Sequence, residues 1–463
     1  MTMAGTAMRS KGETTVAQGA PPALRRGGCP TLASPMQTGD GLLARLRPAS
    51  GVFTAEAFLA LLDAADAFGT GRLDITARGN VQIRGLRGET VAPLSAAIAR
   101  AGIVPCEGIA VEMPPLAGLD PTEIADARPV AGTLSARVRD SGFDLAPKLA
   151  IVVDGGGRLH LDGVAADIRL KATAIEGGAS WHLLVAGRET GRSGSADAMI
   201  EAAMAVVAEI AACGPAARAR DLPAYGASAP VSSLAGREAS PSPVAMFDLG
   251  THVARGVAPA FGQAEAQVLR RLVVAALSYG FSEVRLAPGR ALLLVGPAGS
   301  DSAALVPIAR SFGFAVDAGD PVLRIDACAG AAGCASGRID THATATRLIA
   351  QAPALMDGSL DLHVSGCAKG CARPRAADVT LVAAASDGQP GLGIVLGGRA
   401  GDPLLATNRL EDVPCAITAL GQWVAETLEK GESAAACLQR LGPARIAAAF
   451  SGARFNGIDH AVL

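Results

Sequence analysis

Leu73-Asp-Ile75-Thr-Ala-Arg78-Gly-Asn-Val81-Gln82-Ile83-Arg84 is the stretch whose reading decides the fold. Leu73 and Ile75, then Val81 and Ile83, alternate with polar residues on either side of Gly79-Asn80, which predicts strand, turn, strand. Upstream, Thr54 can cap a helix running to Phe68. Phe58, Leu61, Leu62 and Ala65 fall on one face of it, Glu56, Asp63 and Asp66 on the other, and Gly69 stops it. Leu42 to Leu46 reads as a strand before the helix, so the unit is βαββ.

The same order returns about 210 residues later. Ala44-Arg45 matches Ala254-Arg255, and a helix follows with Val268, Leu269, Leu272, Val273, Ala276 and Leu277 inward, ending at Tyr279-Gly280. Val284-Arg-Leu286 and Leu292-Leu-Leu294-Val-Gly296 then take the places of Leu73-Asp-Ile75 and Val81-Gln-Ile83-Arg-Gly85. Two such halves can pair into one domain with a pseudo-twofold axis.

Four of the nine cysteines fall within 44 positions, as Cys328-x5-Cys334 and Cys367-x3-Cys371, padded with Gly and Ala. Small neighbours let backbone approach a bulky inorganic ligand, and four thiolates are what a [4Fe–4S] cube requires. Structural zinc and inert core cysteines are the alternatives; zinc pairs usually enclose two to four residues, so x5 fits them poorly. Cys29, Cys106, Cys213, Cys415 and Cys437 are scattered and the total is odd, which suits a reducing compartment rather than a disulfide framework.

The remaining chain divides around these features. Residues 1–24 read as a disordered tail, 25–108 as an arm rich in Gly and Pro plus the first half-repeat, and 109–213 as an α/β unit with strands at Leu149–Val153 and Trp181–Val185 and a helix from Ala196 to Ala212. Residues 214–244, crowded with Ala, Pro, Ser and Gly, read as a linker. Then come the second half-repeat, 245–312, and the cysteine-bearing α/β unit, 313–463, with a strand at Val379–Ala383 and a helix at Val413–Glu429. Gly391-Leu-Gly393-Ile-Val-Leu-Gly397 lacks the strand–helix context of a nucleotide loop.

Composition excludes several classes of function. A net charge of −2 gives no global attraction to nucleic acid or anionic membrane, and aromatic residues, only 3% of the chain, offer no base-stacking platform. No window of 18 uninterrupted strongly apolar residues suggests a membrane span, and the first 19 residues lack the apolar core of a secretory signal. The expectation is a cytoplasmic enzyme-sized chain.

Taken together, two half-repeats, each followed by an α/β unit, with the two cysteine pairs in the last, resemble the nitrite and sulfite reductase family. The resemblance implies an α+β fold with two ferredoxin-like half-repeats and two α/β domains about a pseudo-twofold axis. Thr76 to Gly85 resembles the Arg-containing strand that holds a tetrapyrrole in that family; Pro115-Leu-Ala-Gly118 and Leu145-Ala-Pro147-Lys148-Leu149 resemble two further pocket motifs. Some positions depart from it. Ala150 stands where a second Lys would bind a small oxyanion, Ile109-Ala-Val-Glu112 replaces an Arg-Asn, and Gly366-Cys367-Ala-Lys369-Gly-Cys371 replaces Gly-Cys-Pro-Asn-x-Cys.

Arg26-Gly-Gly-Cys29-Pro30, Gly39 to Pro48 and His363 to Cys371 are similar to one branch, the precorrin-3B synthases. What that implies is a monooxygenase of aerobic cobalamin synthesis that takes metal-free precorrin-3A where the reductases hold siroheme. It would hydroxylate C20 and close a lactone from the ring A acetate. A [4Fe–4S] cluster on Cys328, Cys334, Cys367 and Cys371 would supply electrons across space, fed from NADH through a separate reductase or a ferredoxin. The branch also implies a mononuclear non-haem iron for dioxygen, but His160, His182, His252, His342, His363 and His460 show no diagnostic spacing, and no ligand or catalytic residue is assigned. His363 reads as a core or supporting residue. For the substrate's carboxylates the expected contacts are Arg45, Arg47, Arg78, Arg84 and Lys148, with Gln82 as a neutral donor. A siroheme-dependent reductase is the rival enzyme, and a non-catalytic iron–sulfur electron carrier the rival from another class.

Overall fold

A computed structural model describes residues 30–225 and 240–452. Three sequence readings lie outside them: the tail with its Arg26–Cys29 motif, most of the second half of the linker, and His460.

Thr54 caps the first long helix, Ala55–Phe68, its side chain accepting from Ala57 N–H, and Phe58, Leu61, Leu62 and Ala65 are buried beneath it. The strand Gly41–Leu46 pairs antiparallel with Val81–Leu86, which pairs with Arg72–Ile75. In the second half, His252–Pro259 pairs with Ala291–Pro297 and that with Glu283–Ala287, beside the helix Ala266–Ser278. Each half also lends a short strand to the other. Gln263–Glu265 extends the first sheet at Arg72–Ile75, and Val52–Thr54 extends the second at Glu283–Ala287. Neither sheet is complete without its mate, and one apolar core, including Leu61, Leu62, Leu272 and Val273, is shared by both halves. Arg270 ties the two helices together through Asp63 and Asp66.

The two α/β units are built alike. Val111–Glu112, Ile151–Asp154 and Ile168–Ile175 run parallel, followed by antiparallel Gly178–Val185 and Arg188–Gly194. Ile325–Ala327, Leu362–Ser365 and Ala377–Ser386 repeat the parallel trio, followed by antiparallel Gln389–Gly398 and Ala406–Arg409. Residue by residue, Glu112 occupies the place of Asp326, and His160 follows its strand at the distance at which Cys371 follows the other.

Two sequence readings change in detail. The pairing sets Arg45 opposite Gln82 but Gly256 opposite Leu293, so Arg45 corresponds to Gly256 and the match of Ala44-Arg45 to Ala254-Arg255 is one residue out. A bulge between Leu42 and Ala44 absorbs the offset. Residues 214–225, linker-like in composition, instead pack on the first α/β unit: Ala219 and Leu222 are buried in its core. Ala217 joins them there.

Candidate functional site

A cavity of about 740 Å³ opens between the first half-repeat, the first α/β unit and the cysteine-bearing unit; Arg45, Arg47, Arg78, Lys148 and Cys371 all line it. A recess of about 390 Å³ adjoins it across Arg45, Arg78 and Cys371 and reaches Gln82, Cys328 and His342. The strand register explains the convergence. Arg45, Gln82 and Asp74 lie side by side across three paired strands, so their side chains share one face of the sheet. With its amide oxygen assigned toward Arg45, Gln82 accepts from Nη2 at 2.9 Å and Nε at 3.2 Å.

The cations differ in how far they are already committed. Arg78 donates to Glu112 from Nε at 2.9 Å and Nη2 at 2.8 Å, and from Nη1 to the Ala165 carbonyl at 2.9 Å. Arg47 Nη1 lies 3.8 Å from the same carboxylate and is buried without a hydrogen-bond partner. The carboxylate that the sequence adds at Glu112 therefore draws on both arginines. Arg84 is only 4% exposed. It is held by Asp40 at 2.9 and 3.0 Å, by Asp74 at 2.9 Å and by the Gly333 carbonyl, next to Cys334. Lys148 is exposed and forms no ion pair among the described residues.

At the position of the second reductase Lys, the Ala150 N–H donates to Asp167 at 2.9 Å. Arg218 closes on the same carboxylate from two nitrogens, Nε at 2.9 Å and Nη2 at 2.6 Å. Arg218 and Arg220 line the cavity and were not among the sequence-derived contacts. They sit in a segment whose composition reads as linker, so no motif marks them.

The four cysteines come from two loops brought together by parallel pairing of Ile325–Ala327 with Leu362–Ser365. Cys328 follows the first strand, and the Gly366 N–H donates to its sulfur at 3.2 Å. A Cβ on Gly366 would stand 3.2 Å from the Gly330 and Gly337 Cα atoms and 3.5 Å from Cys328 Sγ, and Gly330 itself adopts φ +56°. Only glycine allows loops to pass this closely around a sulfur. A backbone amide aimed at a cysteine sulfur and a small-residue cradle suit a [4Fe–4S] cluster. Cys371 and Cys328 face the recess, whereas Cys367 lines a separate outer depression with Arg338 and Lys369.

His363 lies on Leu362–Ser365, 1% exposed, with both ring nitrogens lacking partners. Burial pushes its pKa down to about 4, so it is neutral near pH 7. Apart from the four cysteines, one group of side chains among the described residues brings possible metal-ligand atoms within 4.8 Å of one another: Asp154, His160 and Asp162. It does not fit a mononuclear iron. Lys171, 4% exposed, reaches Asp162 at 2.8 Å, and buried Arg169 lies 3.9 Å from Asp154, so two carboxylates already face two cations. A divalent ion would add positive charge where two cations already balance the carboxylates.

Comparison with known proteins agrees with this architecture. A family model described as nitrite/sulfite reductase ferredoxin-like half domain matches residues 34–101. The solved structure of the Mycobacterium tuberculosis NirA protein covers 88% of this chain and 84% of its own, with a TM-score of 0.64 at 18% identity. The fold is thus that of the nitrite and sulfite reductases. A Sinorhizobium sp protein named precorrin-3B synthase is 42% identical over 439 residues, which is 92% of this chain and 95% of that one. The chain belongs to the precorrin-3B synthase family.

Proposed function

We propose that the protein converts precorrin-3A to precorrin-3B with dioxygen, hydroxylating C20 and closing a lactone from the ring A acetate. The observation that carries the reading is that Cys371 lines the same cavity as Arg45, Arg47, Arg78 and Lys148, in a chain 42% identical to a named precorrin-3B synthase. A carboxylate-rich tetrapyrrole would meet guanidinium and ammonium groups at its rim and the cysteine-bearing loop at its centre.

Cys328, Cys334, Cys367 and Cys371 would hold the [4Fe–4S] cluster, which supplies electrons one at a time when bound. Arg45, oriented by Gln82, and Lys148 bind peripheral carboxylates. Glu112 holds Arg78 in a fixed bidentate geometry and lowers the cavity's positive charge. That arrangement favours a large, multiply charged ligand over a small oxyanion, which needs several uncommitted cations at one point. Arg84 braces the Cys334 loop through Gly333. One oxygen atom of O2 enters the product and the other leaves as water, so each turnover requires two electrons and two protons. The electrons come from an external donor, NADH through a reductase or a ferredoxin, in a reducing, cytoplasmic setting; no helix among the described residues is long and apolar enough to cross a membrane.

Turnover of precorrin-3A under 18O2 tests the reading. A product carrying one labelled oxygen supports it. Intense siroheme absorption in the purified protein would favour a sulfite or nitrite reductase, and absence of any product would leave the electron-carrier role.

A further inference from the structure

The cavity's charges do not balance evenly around its rim. Arg78 is matched by Glu112 and Arg218 by Asp167, both at hydrogen-bonding distance. Arg45 faces a neutral amide. Lys148 has no ion pair among the described residues. Among the described residues Arg220 has only its neighbour Asp221, at 3.9 Å, and its side chain is 75% exposed. Among the described residues the cavity-lining cations without a close carboxylate are therefore Arg45, Lys148 and Arg220, and of these Lys148 and Arg220 are the exposed pair.

The turn that carries Arg220 is held from several directions. Ala219 is fully buried, and its N–H donates to Asp167 at 3.1 Å. The Arg218 N–H donates to Asp221 at 2.8 Å, and Leu222 enters the core of the α/β unit. Asp167 receives the Arg218 guanidinium and the N–H groups of Ala150 and Ala219. The carboxylate thus joins two segments, one following Lys148 and the other preceding Arg220. A long exposed side chain on so fixed a base loses less freedom on binding than one on a mobile loop.

We propose that Arg220 and Lys148 form a carboxylate clamp at the edge of the cavity, taking an acetate or propionate group of the tetrapyrrole, with Arg218 and Asp167 as positioning residues. It rests on the tetrapyrrole reading above. Ala150 offers no cation between Lys148 and Arg220, and both of their side chains are exposed, which suits recognition of a peripheral side chain rather than a ligand at the centre of the pocket. Arg and Lys differ in kind here: the guanidinium can engage a carboxylate with two parallel N–H bonds, the ammonium as a point charge.

The test uses the cluster-containing protein and two readouts: KM and kcat for precorrin-3A, and the Kd of uroporphyrin III, an eight-carboxylate probe, by fluorescence quenching. Arg220→Ala is expected to raise KM and the uroporphyrin Kd about tenfold each, with kcat within about twofold. Arg220→Lys should recover part of the loss, and Lys148→Ala should match Arg220→Ala. Because Arg220 is exposed, circular dichroism and iron content should be unchanged. If KM and Kd stay within twofold of wild type in Arg220→Ala, or if wild type does not bind uroporphyrin III, the clamp is overturned. If wild type binds uroporphyrin and Arg220→Ala weakens it but precorrin-3A is never turned over, the clamp stands and the assigned reaction fails.

Discussion

Arg84 offers the sharpest separation between a structural and a ligand-binding arginine. The perturbation is Arg84→Gln, which removes the charge and most of the contacts to Asp40, Asp74 and the Gly333 carbonyl. Deleting one partner of a buried ion pair costs about 3–5 kcal/mol because the other charge is left behind. Asp40 and Asp74 keep 12% and 18% side-chain exposure, so water can take up part of their charge and a cost just below that range, about 2–3 kcal/mol, is the better expectation. That corresponds to an apparent melting temperature lower by roughly 5–10 °C for a unit of this size. The carbonyl contact adds a local consequence. Gly333 precedes Cys334, so the variant should also lose iron on dialysis faster than wild type. Scanning calorimetry with iron assays on the same samples checks both. Unchanged melting and iron retention, together with a tenfold weaker tetrapyrrole affinity, would refute the bracing role and return Arg84 to the substrate contacts.

Cys371→Ser should abolish the cluster's low-temperature EPR signal and turnover together; an unchanged signal would remove the residue from the ligand set. Glu112→Gln should release Arg78 and Arg47, raising the affinity for sulfite about fivefold or more in a competition assay while lowering turnover of precorrin-3A. Burial raises the Glu123 pKa to about 7, since Oε1 has no partner and only Oε2 accepts an N–H, from Gly118 at 2.7 Å. The unfolded chain releases that proton near pH 4.5, whereas the folded one holds it to about 7, so stability from this group is present below pH 4.5 and falls as pH rises to about 7. With Glu123 only partly buried, the loss should be about 1–2 kcal/mol. Urea melts at pH 5 and pH 8 should show that difference narrowing in Glu123→Gln.

Backbone periodicity made the architecture legible. Alternation at Leu73–Arg84, the Thr54 cap and the recurrence near residue 284 carry direct physical signals, and the strands and helices form where those signals lie. The exchange of Val52–Thr54 and Gln263–Glu265 between the halves was not legible, because strands of three residues carry no pattern of their own. The two cysteine loops were readable as loops because each sets its cysteines among glycines within a few positions. Cation roles were less so. A run such as Arg45, Arg47, Arg78 and Arg84 looks uniform in sequence, yet one faces an amide, two share a carboxylate and one is buried between two aspartates. Those differences depend on partners 34 or more positions away for Arg78 and Arg84's Asp40.

The pseudo-twofold relation explains why only one of the two related sheet faces carries this polar row. Across the first half the row reads Arg45, Gln82 and Asp74; across the second the equivalent row reads Gly256, Leu293 and Arg285. Arg47 corresponds by the same register to Ala258, and Arg84 to Val295. These replacements are buried. Ala258, Leu293 and Val295 pack with Leu116, Leu159, Phe247 and Leu249 into an apolar core, so the second face is spent on stability. Leu116 belongs to the Pro115–Gly118 motif, and its neighbouring carbonyls at Pro115 and Ala117 accept from buried Arg285. The motif expected to line the tetrapyrrole pocket thus packs on the mate face instead, and none of Pro115–Gly118 lines the 740 Å³ cavity or its recess. The duplicated fold has divided its labour: one half turns a cation-bearing face to the cavity, while the other supplies the packed surface against which the first α/β unit is set.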